Sequence, residues 1–141
     1  MREGYSGKRV FFNIEGEQGR YHGSGEEGAD LLHAKVGAII AKKEFGIIDA
    51  DILSSIRTHT TGEPDMSLLQ KIIFTADYIE PGRDKAKRLD EIRELAFSDL
   101  DICVREILFD TLSYLDETKS DIDPATRETY EFYSDKLRRE F

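Results

Sequence analysis

The sequence predicts an all-α domain, and three observations support this fold class. After residue 29 the apolar residues recur every three or four positions, as on one face of a helix. Short polar or glycine-containing turns separate these segments, and most segments follow an Asp or Ser that can cap a helix. No internal repeat is visible, and 141 residues suffice for one domain with a core. We therefore expect a helical bundle with short connections.

Capping residues and a helix-ending glycine predict where the helices begin and end. Asp30, Asp65 and Asp123 each precede an apolar run and can accept hydrogen bonds from its first N–H groups. Ser98 resembles the start of a capping box, and Gly46 fits the position after a helix end. The predicted helices are 31–45, a short one from 49 or 51 to 59, then 66–79, 89–97, 98–115 and 124 to the end.

The predicted inner faces follow from the helical spacing. The long fifth helix has the most regular apolar stripe, so it should form the centre of the core. Gly37 inside the first helix indicates that another segment or a ligand approaches closely there. The positions predicted to face inward in the first three helices are Leu32, Val36, Ile39 and Ile40, then Ile52, Leu53 and Ile56, then Leu69, Ile72, Ile73 and Ala76.

The first 29 residues differ in composition from the rest of the chain. Seven of the eleven glycines fall there, and only residues 10–14 could form a strand. We expect residues 1–29 to be an irregular, glycine-rich segment that is foreign to the fold, and residues 30–141 to form the helical domain. His22 lies in this segment without a supporting pattern, so we expect it to be exposed to solvent.

The bulk composition excludes several classes of protein. A net charge of −9 is unfavourable for an extended nucleic-acid surface, although a local basic cluster could still bind a small anion. The single cysteine, Cys103, lies among apolar residues, which predicts a core position and fits a reducing cytoplasm. No apolar run approaches the ~20 residues that cross a bilayer.

Asp77 is the residue that best indicates a site. Its helix is apolar over most of its circumference, so we predict that Asp77 is buried. A buried carboxylate is costly unless it is paired, hydrogen-bonded or bound to a metal. Its hard oxygen ligands suit iron, manganese or magnesium.

Two histidines and an arginine are the other candidates. His59 ends a helix and precedes a Thr-Thr-Gly turn that could contact phosphate, although a simple helix C-cap is an equal alternative. His33 on the first helix could be a ligand or a core histidine. Arg83 follows a helix-breaking Pro-Gly pair, and its closeness in sequence to Asp77 favours a phosphate clamp, although an ordinary surface arginine is an equal alternative.

Three blocks in order resemble one bacterial family. They are Leu-Leu-His-Ala-Lys-Val-Gly-Ala at 31–38, Ile-Arg-Thr-His-Thr-Thr-Gly at 56–62, and Ala-Asp-Tyr-Ile-Glu-Pro-Gly-Arg-Asp at 76–84. This pattern, over about residues 30–129, is similar to the YqeK family of HD-domain proteins, which hydrolyse diadenosine tetraphosphate symmetrically to two ADP. The resemblance implies an HD-like helical domain, a bacterial cytoplasmic hydrolase and an iron cofactor.

The resemblance also implies roles for individual residues. Asp77 corresponds to a metal ligand. The residues that correspond to nucleotide-phosphate contacts are His33, His59 and Thr60. Arg83 corresponds to a phosphate or nucleoside contact. A weaker correspondence covers the loop that would close over the nucleotide, namely Asp121, Ile122, Asp123, Pro124, Ala125 and Thr126. The implied ligand is diadenosine tetraphosphate or ADP, and a homodimer is a possible assembly.

The sequence departs from the family pattern at the metal site. The family has a first metal-binding histidine and a His-Asp pair before the block at 31–38, whereas none of the three histidines here precedes an aspartate. We therefore expect an N-terminally incomplete domain with impaired metal binding, produced by a frameshift, a misassigned start or an incomplete reading frame. Two alternatives stay open: a non-catalytic nucleotide-binding module, and a helical protein whose bare face docks on another chain.

Overall fold

The computed structural model describes the backbone of residues 27–140 and the side chains of residues 32–140. Within that range all regular structure is helical, which confirms the predicted all-α class. The predicted strand at 10–14, the glycine-rich segment up to residue 26 and His22 lie outside the described residues. The helices are α1 (Glu27–Glu44), α2 (Ala50–Thr58), α3 (Leu68–Tyr78), α4 (Leu89–Ser98), α5 (Leu100–Thr118) and α6 (Pro124–Glu140).

Some of the predicted caps are confirmed. Asp49, rather than Asp51, caps α2 by accepting hydrogen bonds from two backbone N–H groups. Asp123 accepts from the N–H of Ala125 at 2.8 Å and opens α6, as predicted. Gly46 has a φ of +66° after the end of α1, which is the left-handed conformation expected of a residue that ends a helix.

Other predicted caps are wrong because a neighbouring residue takes the role. Asp30 lies inside α1, which already begins at Glu27. Ser67, not Asp65, caps α3 and forms a capping box with Gln70. Asp99 caps α5, while the hydroxyl of Ser98 bonds back to carbonyl groups of α4. Each true cap has the extended backbone that lets its side chain reach the first turn.

The core lies around α5, which packs against α3, α4 and α6. Tyr133 of α6 is buried there, and its hydroxyl accepts a hydrogen bond from the N–H of Met66 at 3.1 Å. Cys103 is buried as predicted, and burial raises the pKa of its thiol to about 11, so the thiol stays neutral. The fully buried residues of α5 are Cys103, Val104, Ile107 and Leu108.

An ion cluster holds three helices together at the edge of this core. Asp101 of α5 accepts hydrogen bonds from Lys71 of α3 at 2.7 Å and from Lys136 of α6 at 2.6 Å. Burial acts to raise the pKa of Asp101, but the hydrogen bonds from Lys136 and Lys71 outweigh it and lower that pKa. The cluster therefore stabilises the fold while Asp101 is ionised.

The predicted inner faces of α1, α2 and α3 are wrong in large part. Ile72 of α3 is 46% exposed, and the residues that α3 buries are Gln70, Phe74 and Thr75. These helices have more apolar surface than their neighbours in the described chain cover, so several large apolar side chains stay in solvent. We call this set the open apolar face: Leu32, Ile40, Phe45, Ile48, Ile52, Leu68, Ile72 and Ile73.

Candidate nucleotide site

Two histidines from neighbouring helices meet at the end of α2. The Nε2 atoms of His33 and His59 are 2.9 Å apart, and their rings are arranged edge to face. The close packing of α1 on α2 brings them together, since a Cβ at Gly37 would lie 3.4 Å from the side chain of Ile56. This confirms the close approach predicted at Gly37.

The hydrogen bond to the backbone fixes one proton of His59. Nδ1 of His59 lies 2.6 Å from the carbonyl oxygen of Ile56, which can only accept, so this nitrogen carries a proton. In the contact between the two rings, one Nε2 atom donates and the other accepts. Both rings therefore direct Nε2 towards the same point, where an N–H group could donate to an anionic oxygen.

The Thr-Thr-Gly turn after His59 is held against α6. Gly62 has a φ of +69°, and a Cβ there would lie 2.9 Å from a methyl carbon of Thr129. Any other residue would combine a left-handed backbone with a steric clash. The glycine therefore sets how closely the turn approaches α6.

A cavity of about 310 Å³ lies where this turn meets the start of α6. Thr60 shares it with Asp123 and Ala125, although these residues are more than sixty positions apart in the sequence. Basic residues from α1 and α2, Lys35 and Arg57, also line it, and Arg57 pairs with Glu63 at 3.0 Å. The cavity combines hydroxyl and cationic groups that can hold a phosphate with the acidic residues Glu63, Asp123 and Glu128.

The remaining residues of the predicted 121–126 loop differ in their access to the cavity. Thr126 is buried, and its N–H donates to the carbonyl of Asp123 at 3.0 Å, so it supports the turn. Asp121 and Pro124 are exposed, and Ile122 is half-buried. None of these four lines the cavity among the residues that the structure describes.

Asp77 is exposed, so its predicted burial is wrong. The neighbouring Ile73 lies on the open apolar face, and Asp77 shares that solvent-facing side of α3. Among the described residues its carboxylate has no hydrogen-bond or ion-pair partner. A single exposed carboxylate is available to bind a cation but does not form a site alone.

Arg83 lies beside the end of α3. Its guanidinium is 5.0 Å from the centre of the Tyr78 ring and donates to the backbone carbonyl of Asp77 at 3.3 Å. Its Nε is covered and has no partner among the described atoms. The side chain of Arg93 donates to three backbone carbonyls between residues 79 and 83, so it holds this turn in place.

The donor set in the described region does not fit a metal centre. No three His, Cys, Asp or Glu side chains between residues 32 and 140 come together closely enough to hold an ion. His33 and His59 form a pair, and Asp77 is not clustered with them. Zinc sites take three or four protein ligands, so the described residues alone do not form a site of that kind.

Three contributors were absent from the sequence prediction. Lys35 and Arg57 line the cavity, and Arg93 positions the turn that carries Arg83. Lys35 lies two positions after His33, and Arg57 lies two positions before His59. Their closeness to the candidate histidines is the sequence signal that indicates these two basic residues. No comparable signal existed for Arg93, whose contacts depend on how α4 packs beside the turn.

No helix in the part of the chain that the structure describes is long and apolar enough to span a membrane. Residues 12–82 match the family model of the HD domain. The match covers the two histidines, the Thr-Thr-Gly turn and Asp77, and it begins inside the segment that the sequence prediction separated from the helical domain.

Two characterised relatives share the same name. The chain is 46% identical over 103 residues to the symmetrical bis(5'-nucleosyl)-tetraphosphatase of Halalkalibacterium halodurans, covering 73% of this chain and 54% of the relative. The corresponding protein of Bacillus subtilis is 43% identical over 101 residues, with 72% and 54% covered. The predicted relationship to symmetrical tetraphosphatases is confirmed, and the chain spans about half the length of the curated relatives it matches.

A solved structure has the same fold. A crystal structure of a predicted HD superfamily hydrolase involved in NAD metabolism, from Clostridium acetobutylicum, superposes with a TM-score of 0.73 at 39% identity. The similarity covers 82% of this chain and 62% of the other.

Proposed function

The chain belongs to the HD domain family, and from this premise we propose that it acts in the symmetrical hydrolysis of diadenosine tetraphosphate to two ADP. The observation that carries the proposal is the His33–His59 pair beside a cavity lined by Thr60. The names of the two relatives favour this substrate and this position of cleavage. The activity is proposed for the whole protein that contains the described residues.

The described residues would hold the phosphate chain. Nε2 of His33 and, in the doubly protonated form of the ring, Nε2 of His59 would donate to phosphate oxygens once a nucleotide displaces their mutual hydrogen bond. Thr60 would donate its hydroxyl, and the guanidinium of Arg83 would pair with a phosphate oxygen or stack against the nucleoside. We also assign the nucleotide-covering segment to Asp121, Ile122, Asp123, Pro124, Ala125 and Thr126.

These contacts would favour symmetrical cleavage in two ways. Cationic and hydrogen-bonding groups around the middle of the phosphate chain stabilise the charge that develops as water attacks the phosphorus. A protonated Nε2 in the pair can give its proton to the oxygen of the departing ADP. Both roles require that the oxygen bridging the second and third phosphates lies beside the His33–His59 pair.

We propose Asp77 as one metal ligand and iron as the metal, with the remaining donors supplied from outside residues 32–140. The free carboxylate of Asp77 supports this role. Binding of iron(II) to the full chain under anaerobic conditions tests it. Asp77→Asn should lower the bound iron, whereas Asp116→Asn, an exposed change near the end of α5, should not. Equal loss in both variants, or none in either, contradicts the assignment.

The activity is tested by incubating the full chain with diadenosine tetraphosphate and iron(II) and separating the nucleotides. ADP is the expected sole product, and His59→Ala should reduce its formation about 100-fold, because it removes a charge-stabilising donor. Arg139→Gln, an exposed change far along α6, is the matched control. Formation of AMP and ATP would overturn the symmetrical assignment, and the absence of turnover would overturn catalysis by this chain.

A second candidate is a nucleotide-binding module without catalysis. The lack of a three-donor cluster among the described side chains specifically favours it. Titration calorimetry with ADP in the presence of a metal chelator separates the candidates, because the module requires binding without metal. Undetectable ADP binding by the wild-type chain would exclude the module.

We further propose a homodimer and a cytoplasmic location. The open apolar face supports the dimer, because pairing two copies would remove these side chains from water. The buried neutral thiol of Cys103 is compatible with a reducing compartment. Light scattering tests the dimer: Ile72→Ser with Ile73→Ser should give a monomer, whereas a monomeric wild-type chain would contradict it.

A further inference from the structure

A second pocket, of about 370 Å³, lies between α5 and α6 and shares no lining residue with the nucleotide cavity. Its polar lining comes from Arg105 of α5 and from Ser134 and Arg138 of α6. Ile102, Tyr130 and Leu137 give it an apolar wall. No role in the proposed function involves any of these residues.

Two donors in the wall of this pocket lack a partner. Ser134 is only 9% exposed, and its hydroxyl oxygen is covered and makes no hydrogen bond within the described chain. The Nε of Arg105 is likewise covered and unpaired. An unsatisfied buried donor costs about 1–3 kcal/mol, and such groups are few in native proteins. Both residues line the same pocket, so an acceptor that entered between the helices could satisfy them after a small side-chain rotation.

The charges around the pocket suit an anion. Arg105 pairs through its terminal nitrogen with Glu106, which Arg88 also contacts at 2.8 Å, so Glu106 shares its charge between two guanidinium groups. Arg138 pairs with Asp135 at 3.2 Å, but both side chains are more than half exposed. Exposed ion pairs contribute little, so a ligand can replace Asp135 at Arg138.

We propose that this pocket binds an organic phosphate monoester. The phosphate has three terminal oxygens, enough to accept from Arg105, Ser134 and Arg138 together, whereas a carboxylate has only two. A rotation of the Ser134 side chain turns its hydroxyl towards the bound oxygen. The apolar or aromatic body of the ligand packs against Tyr130 and its apolar neighbours.

Phenyl phosphate is the probe, and the full chain is titrated with it while amide chemical shifts are recorded. Saturable shifts should localise to residues 102–105 and 130–138. Inorganic phosphate should bind there more weakly because it lacks the ring, and benzyl alcohol should leave these amides unchanged because it lacks the charge. Equal shifts with benzyl alcohol would overturn the anion site, as would phenyl phosphate shifts confined to residues 59–62 and 123–126.

Matched variants test the named donors. Ser134→Ala should weaken phenyl phosphate binding about 3- to 10-fold, as expected for one hydrogen bond, and Arg138→Gln about 10-fold for a charge-assisted contact. Arg139→Gln, the adjacent arginine that does not line the pocket, should bind like the wild type. Unchanged binding in both Ser134→Ala and Arg138→Gln would overturn the proposal.

A last variant separates this pocket from the nucleotide site. His59→Ala should leave phenyl phosphate binding at residues 130–138 intact, while ADP binding falls. Loss of both in His59→Ala, with an unchanged melting temperature, would mean a single site and would overturn the second one. Failure of ADP binding alone contradicts the proposed function and leaves this pocket supported.

Discussion

The two ends of the helical domain use their apolar residues differently. Around α5 most of them are enclosed: Ile107 is 1% exposed and packs with Tyr133 of α6, although Phe97 and Phe109 are exposed. On α1–α3 most large apolar residues remain partly in solvent, with Phe74 as the buried exception, and Ile48 in the turn between α1 and α2 is 87% exposed. The nucleotide cavity lies between the two regions, where the turn after α2 meets the start of α6. The contrast indicates that the core around α5 supplies most of the stability, whereas the exposed apolar side chains of α1–α3 contribute less to it.

The largest expected effect comes from substituting one isoleucine in each region. Ile107→Ala leaves a cavity in a closed core and should lower the free energy of unfolding by about 2–5 kcal/mol. Ile72→Ala removes atoms that are half in water already and should cost less than about 1 kcal/mol. Urea unfolding of both variants, at a protein concentration at which the chain is monomeric, measures this difference, and equal losses would contradict the two-region description.

The junction between the regions depends on Gly62. Gly62→Ala should destabilise the fold by about 1–3 kcal/mol, because it adds a clash with Thr129 to an unfavourable positive φ. Gly46 is the matched control, since its φ is similarly positive but no atom lies within 4 Å of an added Cβ. Gly46→Ala should therefore lose only the free energy that comes from the unfavourable positive φ. A melting temperature as low for Gly46→Ala as for Gly62→Ala would show that the contact with α6 is unimportant.

The ion cluster makes the link between α3 and the core dependent on pH. Because the folded state lowers the pKa of Asp101, its ionised form stabilises the protein above about pH 4, the usual range of an aspartate. That contribution is lost as the pH falls through the lowered pKa. Asp101→Asn should cost about 1–2 kcal/mol at pH 7, a reduced value for a partly exposed group.

The same variant should differ less from the wild type in acid. Below the lowered pKa both proteins have an uncharged side chain at position 101, so their melting temperatures should converge. A difference that stays constant from pH 7 down to pH 2 would indicate a packing defect and not a loss of charge.

The smallest stability effect is expected on the open apolar face. Ile48→Ser should change the melting temperature by no more than about 1–2 °C, because the side chain is nearly all in water. Solubility should rise, since the variant presents less apolar surface. A marked destabilisation would mean that this residue is covered in solution.

The sequence predicted the helices better than their faces. Spacing identifies a helix, but Ile72 and Asp77 lie on an uncovered side of α3 because coverage depends on neighbours that spacing does not specify. Caps were misassigned where two capable residues stand close together, as with Asp65 and Ser67. The backbone conformation at Asp65 and at Ser67 decides which residue caps the helix, and the amino-acid composition does not specify that conformation.

The sequence supplied candidate site residues but not their geometry. His33 and His59 were selected from residue type and local pattern, yet their contact depends on the packing of α1 against α2. The presence of Thr60 and Asp123 in one cavity likewise requires the approach of the turn at Gly62 to α6. Distances between elements that are remote in sequence are set by the core, which local patterns do not describe.

The most direct test of this account is a titration of the full chain with ADP, followed by amide chemical shifts. The perturbed amides should cluster at residues 33–35, 59–62 and 123–126, and His59→Ala should weaken binding about 10-fold through loss of a charge-assisted contact. Arg139→Gln should bind as the wild type does. Shifts confined to α4 and α5, or binding unchanged by His59→Ala, would contradict the nucleotide site described here.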